Sequence, residues 1–172
     1  MASTLNGSHN AERMFQLDSG LTAGVSEVED RFTVMSVKTE HISVTTGGRR
    51  DVVDITQELR DCVKRSGIRK GIAALFVPGS TAALTTIEYE PGLKRDIDEL
   101  LERLVPYGGH YHHHETWHDD NGAAHLQAAM IGPSLTLPII DGAPVLGTWQ
   151  QVVLIDCDTR PRNRSIVVQI LS

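Results

Sequence analysis

Apolar residues recur along this chain with two different spacings, and each spacing predicts its own kind of secondary structure. Spacings of three and four positions predict amphipathic helices over residues 51–66 and 91–104 and a short helix over residues 122–130. Asp54 is the predicted N-cap of the first helix and Gly67 its C-terminal stop. The chain therefore contains two longer helices and one short helix.

Alternating or continuous apolar runs predict strands between these helices. The predicted strands cover residues 31–37, 41–46, 71–78, 82–89, 135–139, 147–155 and 165–171. The strand over 82–89 is expected to neighbour the one over 71–78. Strands in clusters, interrupted by helices, are typical of the α+β class. We predict a single domain over residues 31–172, with a large, mostly antiparallel, sandwich-like sheet, preceded by a mobile arm over residues 1–30.

Composition and charge narrow the classes of partner. The 172 residues carry a net charge of −6, with a sequence pI near 5.7, so the chain offers no general electrostatic attraction to nucleic acid or anionic lipid. The apolar runs are shorter than the ~20 residues of a membrane span, and the N-terminus resembles no secretion signal. A cytoplasmic location is expected. Cys62 and Cys157 are interpreted as buried apolar residues.

The strongest chemical signal is a cluster of histidines within residues 110–125, a segment rich in polar side chains. Imidazole is the commonest protein ligand of zinc. One interpretation is a solvated polar loop. The other is a metal site with an open position, in which His113 and His125, together with His118 or Asp119, hold a divalent ion such as zinc or magnesium.

The backbone of this segment limits how many of its side chains can converge. It is expected to be a polar connector, and in extended backbone His112 and His114 share one side while His113 lies on the other. Residues 119–122 also suit a turn and an N-cap for the following helix. His125 then lies near the positive end of that helix, where a phosphate can dock.

Hydroxyl groups follow the buried strand that ends at Val77. Ser80 and Thr81, after Gly79, either cradle an anion or belong to a strand edge. Glu88, at the far end of the same segment, is a candidate general acid or base if it is buried beside the histidines.

Two further segments can each be interpreted in two ways, as part of the protein's own structure or as a ligand-binding element. Trp149 and Gln150 either pack into the core or orient a ring-containing ligand. Arg160, Arg162 and Arg164 form either a solvated hairpin turn or a phosphate clamp.

Taken in order, these motifs resemble the YjbQ family, whose members are often labelled secondary thiamine-phosphate synthases. The resemblance covers residues 33–171 and is carried by GSTAALTTIEYEPG, YHHHETWHDDNGAAH, GPSLTLPIIDG, LGTWQQVVLID and RPRNRSIVVQI. It implies a YjbQ-like α+β domain that assembles as a homotrimer, with sites near subunit boundaries.

The resemblance also implies a set of site residues. They are the catalytic candidates Glu88, His113, Asp119 and His125, and the substrate-binding candidates Ser80, Thr81, Asn121, Thr148, Trp149, Gln150 and Arg164. Many members carry a His followed by two Thr where this chain has Gly79, Ser80 and Thr81. His118 or another nearby histidine would have to substitute for that family histidine.

The implied reaction joins a pyrimidine diphosphate to a thiazole phosphate and expels pyrophosphate. Ser80, Thr81 and Arg164, with a divalent ion, are expected to take the phosphate charge, and Trp149 and Gln150 to orient a ring. Glu88 or Asp119 would handle a proton or orient a histidine. Two alternatives stay open: metal-dependent hydrolysis of a small phosphate or amide, and a non-catalytic trimeric module that binds a metal or a phosphorylated metabolite.

Overall fold

The computed structural model describes residues 35–172, which form strands and helices in alternating groups. The strands are β1 (Val37–Thr46), β2 (Asp51–Asp54), β3 (Gly71–Phe76), β4 (Ala82–Ile87), β5 (Ser134–Ile140), β6 (Ala143–Pro144), β7 (Gln151–Asp156) and β8 (Arg162–Leu171). The helices are α1 (Thr56–Ser66), α2 (Pro91–Leu104), α3 (His112–Trp117) and α4 (Gly122–Ile131).

The strands form two sheets in which every pair of neighbours is antiparallel. One sheet has the order β1-β8-β3-β5-β6 and the other has the order β2-β7-β4. The predicted α+β class with antiparallel strands is confirmed, with the strands divided between two sheets. The predicted arm over residues 1–30 lies outside the described residues.

The smaller sheet lies between two apolar clusters because both of its faces carry aliphatic side chains. Leu84 and Leu154 face the first cluster, which also holds α1 and the inner face of the larger sheet. Val153 and Ile155 face the second cluster, to which Ala124 of α4 and Ile97 of α2 contribute. A strand that is buried on both faces carries apolar residues at consecutive positions, which explains the continuous apolar run Val152–Ile155 in β7.

Three predictions are wrong in their partners, bounds or element type. The strand predicted over residues 147–155 begins only at Gln151, where β7 starts. The segment after Ser80 does not pair with β3, because β4 pairs with β7 in the other sheet. The first residues of the predicted first helix instead form β2, where Val53 opposes Leu154. The helix begins at Thr56, whose backbone N–H donates to Asp54 Oδ1 at 2.8 Å. The N-cap position is occupied by Ile55, and Asp54, the predicted N-cap, lies one residue before it. The Asp54 carboxylate still accepts a free N–H group of the first helical turn.

The other helices agree better with the apolar spacing. Pro91 begins α2, and the side chain of Glu90 accepts the N–H groups of its first turn. The short helix α4 matches the prediction over residues 122–130 within one residue. Among the described residues, no helix has the length and apolar character needed to cross a bilayer.

Both cysteines are buried and free, as the sequence predicts. Burial raises the pKa of the Cys157 thiol to about 12, and it also raises the pKa of Cys62. Because the thiolate is the reactive form, burial makes both thiols less reactive than the thiol of an exposed cysteine.

Gly71 begins β3 at a point where the backbone of β8 leaves no room for a side chain. A Cβ at this position would overlap the backbone oxygen of Leu171. Replacing Gly71 with Ala is expected to lower the free energy of unfolding by about 1–3 kcal/mol, the usual cost of overpacking. Chemical denaturation measures the change, and Gly108→Ala is the control because its Cβ would meet open space. Equal stability of the two variants would contradict this account of the β3–β8 pairing.

Candidate functional site

Four polar side chains from the His-rich segment converge on one point at the surface. His113 lies on α3, His125 lies on α4, and Asp119 and Asn121 belong to the loop between the two helices. The two imidazole rings are 4.5 Å apart between centroids, and His113 Nε2 lies 3.4 Å from Asp119 Oδ1. All four residues are partly buried. We call this group the histidine cluster.

The amide of Asn121 lies at the centre of the histidine cluster. With its nitrogen turned inward, the amide lies 3.0 Å from His113 Nε2, 3.2 Å from His125 Nε2 and 3.0 Å from Asp119 Oδ1. An amide nitrogen carries two hydrogens, which is fewer than the lone pairs that surround it here. When both imidazoles are neutral and carry their hydrogen on Nδ1, the cluster therefore presents more acceptors than donors.

The conformation of the His-rich segment differs from the extended connector that the sequence predicts. Residues 112–117 form α3, and His118 ends this helix in the left-handed region with a φ of 55°. The chain reverses there and starts α4, whose first N–H, from Gly122, donates to His114 Nε2 at 3.2 Å. His114 is therefore used to hold the two helices together, which leaves His113 free to face His125.

The position of His125 is set by a backbone carbonyl. Its Nδ1 lies 3.1 Å from the carbonyl oxygen of Ser80, which lies two residues before the start of β4. Because a carbonyl can only accept, Nδ1 carries a hydrogen, and in the neutral imidazole Nε2 then has a lone pair that faces the histidine cluster. Such a bond to the second ring nitrogen is typical of histidines that bind metals or accept protons.

Cavities open on both sides of His125. One, of about 440 Å³, lies between the Ser80 loop and α4 and is lined by Gly79, Ser80, Ala82, His125, Ala128, Ala129 and Pro133. The other, of about 360 Å³, is lined by His110, Tyr111, His112, His113, Gly122, His125 and Leu126. A small molecule of metabolite size can therefore reach the cluster from either side.

Two of the predicted phosphate-binding residues, Thr81 and Arg164, lie behind the Ser80 loop in a polar network. The guanidinium of Arg164 is 10 % exposed and lies 2.6 Å from Asp156 Oδ1, and it also donates to Thr81 Oγ1 at 2.9 Å. Its charge is thus balanced within the protein. Sequence reasoning missed Asp156 and Asp158, although two acids at the end of an apolar strand are an unusual enough pattern to be noticed.

The remaining predicted residues lie elsewhere. Glu88, Trp149 and Gln150 are exposed around the far end of β4, where Gln150 Nε2 donates to Thr86 Oγ1 at 2.8 Å. That end is roughly 17 Å from Thr81 at the usual rise of a strand. Thr148 is exposed beside them, and His118 is exposed at the end of α3. Within one chain these side chains do not join the histidine cluster.

The carboxylate of Asp158 gives the network a pH dependence. Burial alone would raise the pKa of Asp158, but hydrogen bonds from Arg162 and Thr81 outweigh it and hold the pKa below its ordinary value. The resulting stability is fully present above about pH 4, the pKa of an unfolded aspartate, and is lost as the pH falls through the lower pKa of the folded protein.

We therefore expect Asp158→Asn to flatten the loss of stability below about pH 4, as measured by thermal unfolding at a series of pH values. Asp141→Asn is the control, because the side chain of Asp141 is 76 % exposed. A wild-type acid profile in the Asp158 variant would show that its carboxylate is not stabilised in the folded state.

Comparisons with known proteins agree with this fold. The family model described as UPF0047 protein YjbQ-like matches residues 40–172. A UPF0047 protein of Archaeoglobus fulgidus is 38 % identical over 130 residues, which cover 76 % of this chain and 98 % of that protein. A UPF0047 protein of Mycobacterium tuberculosis is 37 % identical over 74 % of this chain and 93 % of its own.

Solved structures show the same similarity. A YbjQ-like protein of unknown function from Sulfolobus solfataricus superimposes with a TM-score of 0.76 and 36 % identity, covering 80 % of this chain and 99 % of that one. A hypothetical protein from Aeropyrum pernix gives a TM-score of 0.73 and 32 % identity over 78 % of this chain and 98 % of its own. The chain belongs to the UPF0047 YjbQ-like family.

Proposed function

We propose that the histidine cluster is the active site of an enzyme that acts on a small phosphorylated metabolite. The observation that carries the proposal is the convergence of His113, Asp119, Asn121 and His125 on one point between two cavities. A carboxylate and two imidazoles at contact distance can move a proton and stabilise a developing charge. Polar groups gathered in this way at a surface are not needed for packing.

Of the two divalent cations considered, zinc fits the two imidazoles and one carboxylate of the cluster better than magnesium, which prefers oxygen ligands. The excess of lone pairs around the Asn121 amide is satisfied when a cation joins them, with His113, Asp119 and His125 as its ligands. Among residues 35–172, no three His, Cys, Asp or Glu side chains already meet at metal-binding geometry. Asn121 must therefore move aside or turn its oxygen inward as a further ligand. When bound, such an ion neutralises phosphate charge.

The reaction that the family resemblance implies is the synthesis of thiamine phosphate. In our proposal, His113 and Asp119 hold the cation, and the Ser80 hydroxyl, which is exposed beside His125, contacts phosphate. Arg164 contributes less than the sequence alone implies, because Asp156 already neutralises it. The cation therefore supplies most of the positive charge that a departing pyrophosphate needs.

The resemblance also implies a homotrimer, and we propose that a partner subunit brings its Trp149 and Gln150 to the histidine cluster. The outer face of the larger sheet supports an assembly. Val37, Ile72, Phe76 and Ile140 on this face are 42 to 57 % exposed. Apolar side chains gathered on one face are typical of a covered surface.

The assembly is tested by sedimentation of the wild type and of Phe76→Glu. We expect the wild type at three times the 18.9 kDa chain mass and the variant at a smaller mass. Leu100→Glu on α2 is the matched control, because Leu100 is 46 % exposed and lies outside this sheet. A monomeric wild type would contradict the trimer.

Metal-dependent hydrolysis of a small phosphate is the second candidate. It is favoured by one observation. Within a single chain, Trp149 and Gln150, which are expected to orient a ring, lie away from the histidine cluster, and hydrolysis of a phosphate needs no such residues. Three ligands and an open position are sufficient to activate water on a metal.

One assay separates these functions. Purified protein is incubated with hydroxymethylpyrimidine diphosphate and thiazole phosphate, with added magnesium or zinc or with a chelator, and thiamine phosphate and free phosphate are measured. Metal-dependent thiamine phosphate supports the synthase, and free phosphate from either substrate supports the hydrolase. No turnover with any ion, combined with saturable binding of either substrate, would contradict an enzyme and favour a binding module.

A further inference from the structure

A buried network of charged side chains connects three strands behind the Ser80 loop. Arg164 Nε donates to Asp156 Oδ2 at 2.8 Å, and Arg164 Nη2 donates to Thr81 Oγ1 at 2.9 Å. Thr81 Oγ1 in turn donates to Asp158 Oδ2 at 2.9 Å. The side chains of Asp156, Asp158 and Arg164 are 0 %, 4 % and 10 % exposed. Both charged partners of Thr81 are thus removed from solvent.

Thr81 is the point at which this network meets the histidine cluster. Its hydroxyl is bound on two sides, and its carbonyl oxygen accepts the N–H of Cys157 at 2.9 Å. These hydrogen bonds fix the position of Thr81, and they therefore also fix the peptide group that joins Ser80 to Thr81. That peptide group carries the carbonyl to which His125 Nδ1 donates.

The loop before Thr81 is shaped to lie against Arg164. Gly79 has a φ of 116°, in a region that residues with a side chain rarely adopt. A Cβ at Gly79 would lie 3.5 Å from Arg164 Nη1. The loop thus passes directly over the guanidinium before it turns into β4.

We infer that the Arg164, Asp156 and Asp158 network is a positioning device that acts through Thr81 and the Ser80 carbonyl to fix the tautomer of His125. This inference rests on the proposed function of the histidine cluster. It gives Arg164 and Thr81 a role different from substrate binding. The network keeps the hydrogen of His125 on Nδ1, so that the lone pair of Nε2 faces His113 and Asn121.

The competing explanation is that the network only stabilises the fold. The tautomer of the His125 imidazole distinguishes the two explanations. A buried ion pair adds little stability compared with apolar residues of the same size. A network that only filled space would leave the imidazole tautomer unchanged when one hydroxyl is removed. A positioning network would not.

The experiment measures the tautomer of His125 by the ¹⁵N chemical shifts of its ring in chelator-treated protein, at a pH at which those shifts report the neutral imidazole. Thr81→Val removes the hydroxyl and keeps the shape, and Thr81→Ser keeps the hydroxyl. Thr86→Val, at the other end of β4, is the matched control, because the Thr86 hydroxyl is bound to Gln150 and lies outside the network.

We expect the ratio of the Nδ1–H to the Nε2–H form to fall about fivefold in Thr81→Val, the effect of losing roughly 1 kcal/mol of hydrogen bonding. The wild type, Thr81→Ser and Thr86→Val should keep the Nδ1–H form. An unchanged tautomer in a folded Thr81→Val would overturn the inference. Should that variant fail to fold, Asp158→Ala provides the same test, because it removes the acceptor of the Thr81 hydroxyl, which an Asn side chain would retain as its amide oxygen. Because no substrate or metal is present, a failed activity assay leaves this result intact.

Discussion

Replacing Arg164 with alanine is expected to lower the free energy of unfolding by about 3–5 kcal/mol, because it leaves a buried carboxylate without its counter-charge. Asp156 is fully buried and receives two hydrogen bonds from Arg164, at 2.6 and 2.8 Å. Thr46 also donates to it, but a hydroxyl brings no charge. Chemical denaturation at neutral pH measures the effect.

Arg162→Ala is the matched control for this experiment. Arg162 belongs to the same strand and binds Asp158 at 2.9 Å, but its side chain is 46 % exposed. Solvent screens its guanidinium, and without it Asp158 still accepts from Thr81 and lies 3.6 Å from Arg164 Nη2, so we expect a smaller loss of about 1–2 kcal/mol. Equal losses in the two variants would contradict the assignment of the buried charge balance to Arg164.

Replacing His113 with alanine is expected to lower kcat/KM for the proposed formation of thiamine phosphate by about 100-fold or more, because the cation loses one of its ligands. His113 is the only histidine of α3 whose ring contacts His125, at 4.5 Å between centroids. The change is measured by steady-state kinetics with the metal that supports turnover.

His112→Ala is the control for this loss, because His112 is the neighbouring residue on α3 and its side chain is 95 % exposed. Its kcat/KM should remain within about twofold of the wild type, since a solvated side chain takes no part in transition-state stabilisation. Similar losses in both variants would indicate that α3 matters for folding and that His113 has no special role.

Much of the fold follows from local patterns in the sequence. The apolar spacing of α2 and the alternation of β8 are visible over a single segment. The helix forms where it is predicted, and β8 begins at Arg162, three residues before its predicted start. The partner of β4 is set by contacts with β7, which lies more than sixty residues later, so no local pattern contains it. The same is true of β2, which has the apolar spacing of a helix but is needed to complete the smaller sheet.

The candidate site could be predicted only where its residues are close in sequence. His113, Asp119, Asn121 and His125 lie within one segment, and the density of histidines there points to them. Their contact depends on α3, which the polar composition of the segment conceals. In the network, Thr81 contacts Asp158 and Arg164, which follow it in the sequence by 77 and 83 residues. The balance of charge among these side chains is therefore visible only in the folded chain.

The most direct test of the histidine cluster as a cation-assisted site is its metal content. Tag-free wild type, His113→Ala, His125→Ala and His112→Ala are loaded with zinc or magnesium, dialysed, and analysed by mass spectrometry. We predict close to one ion per chain in the wild type and in His112→Ala, and loss of that ion in the other two variants. Wild-type protein that retains neither ion, or equal retention in all four proteins, would contradict the account.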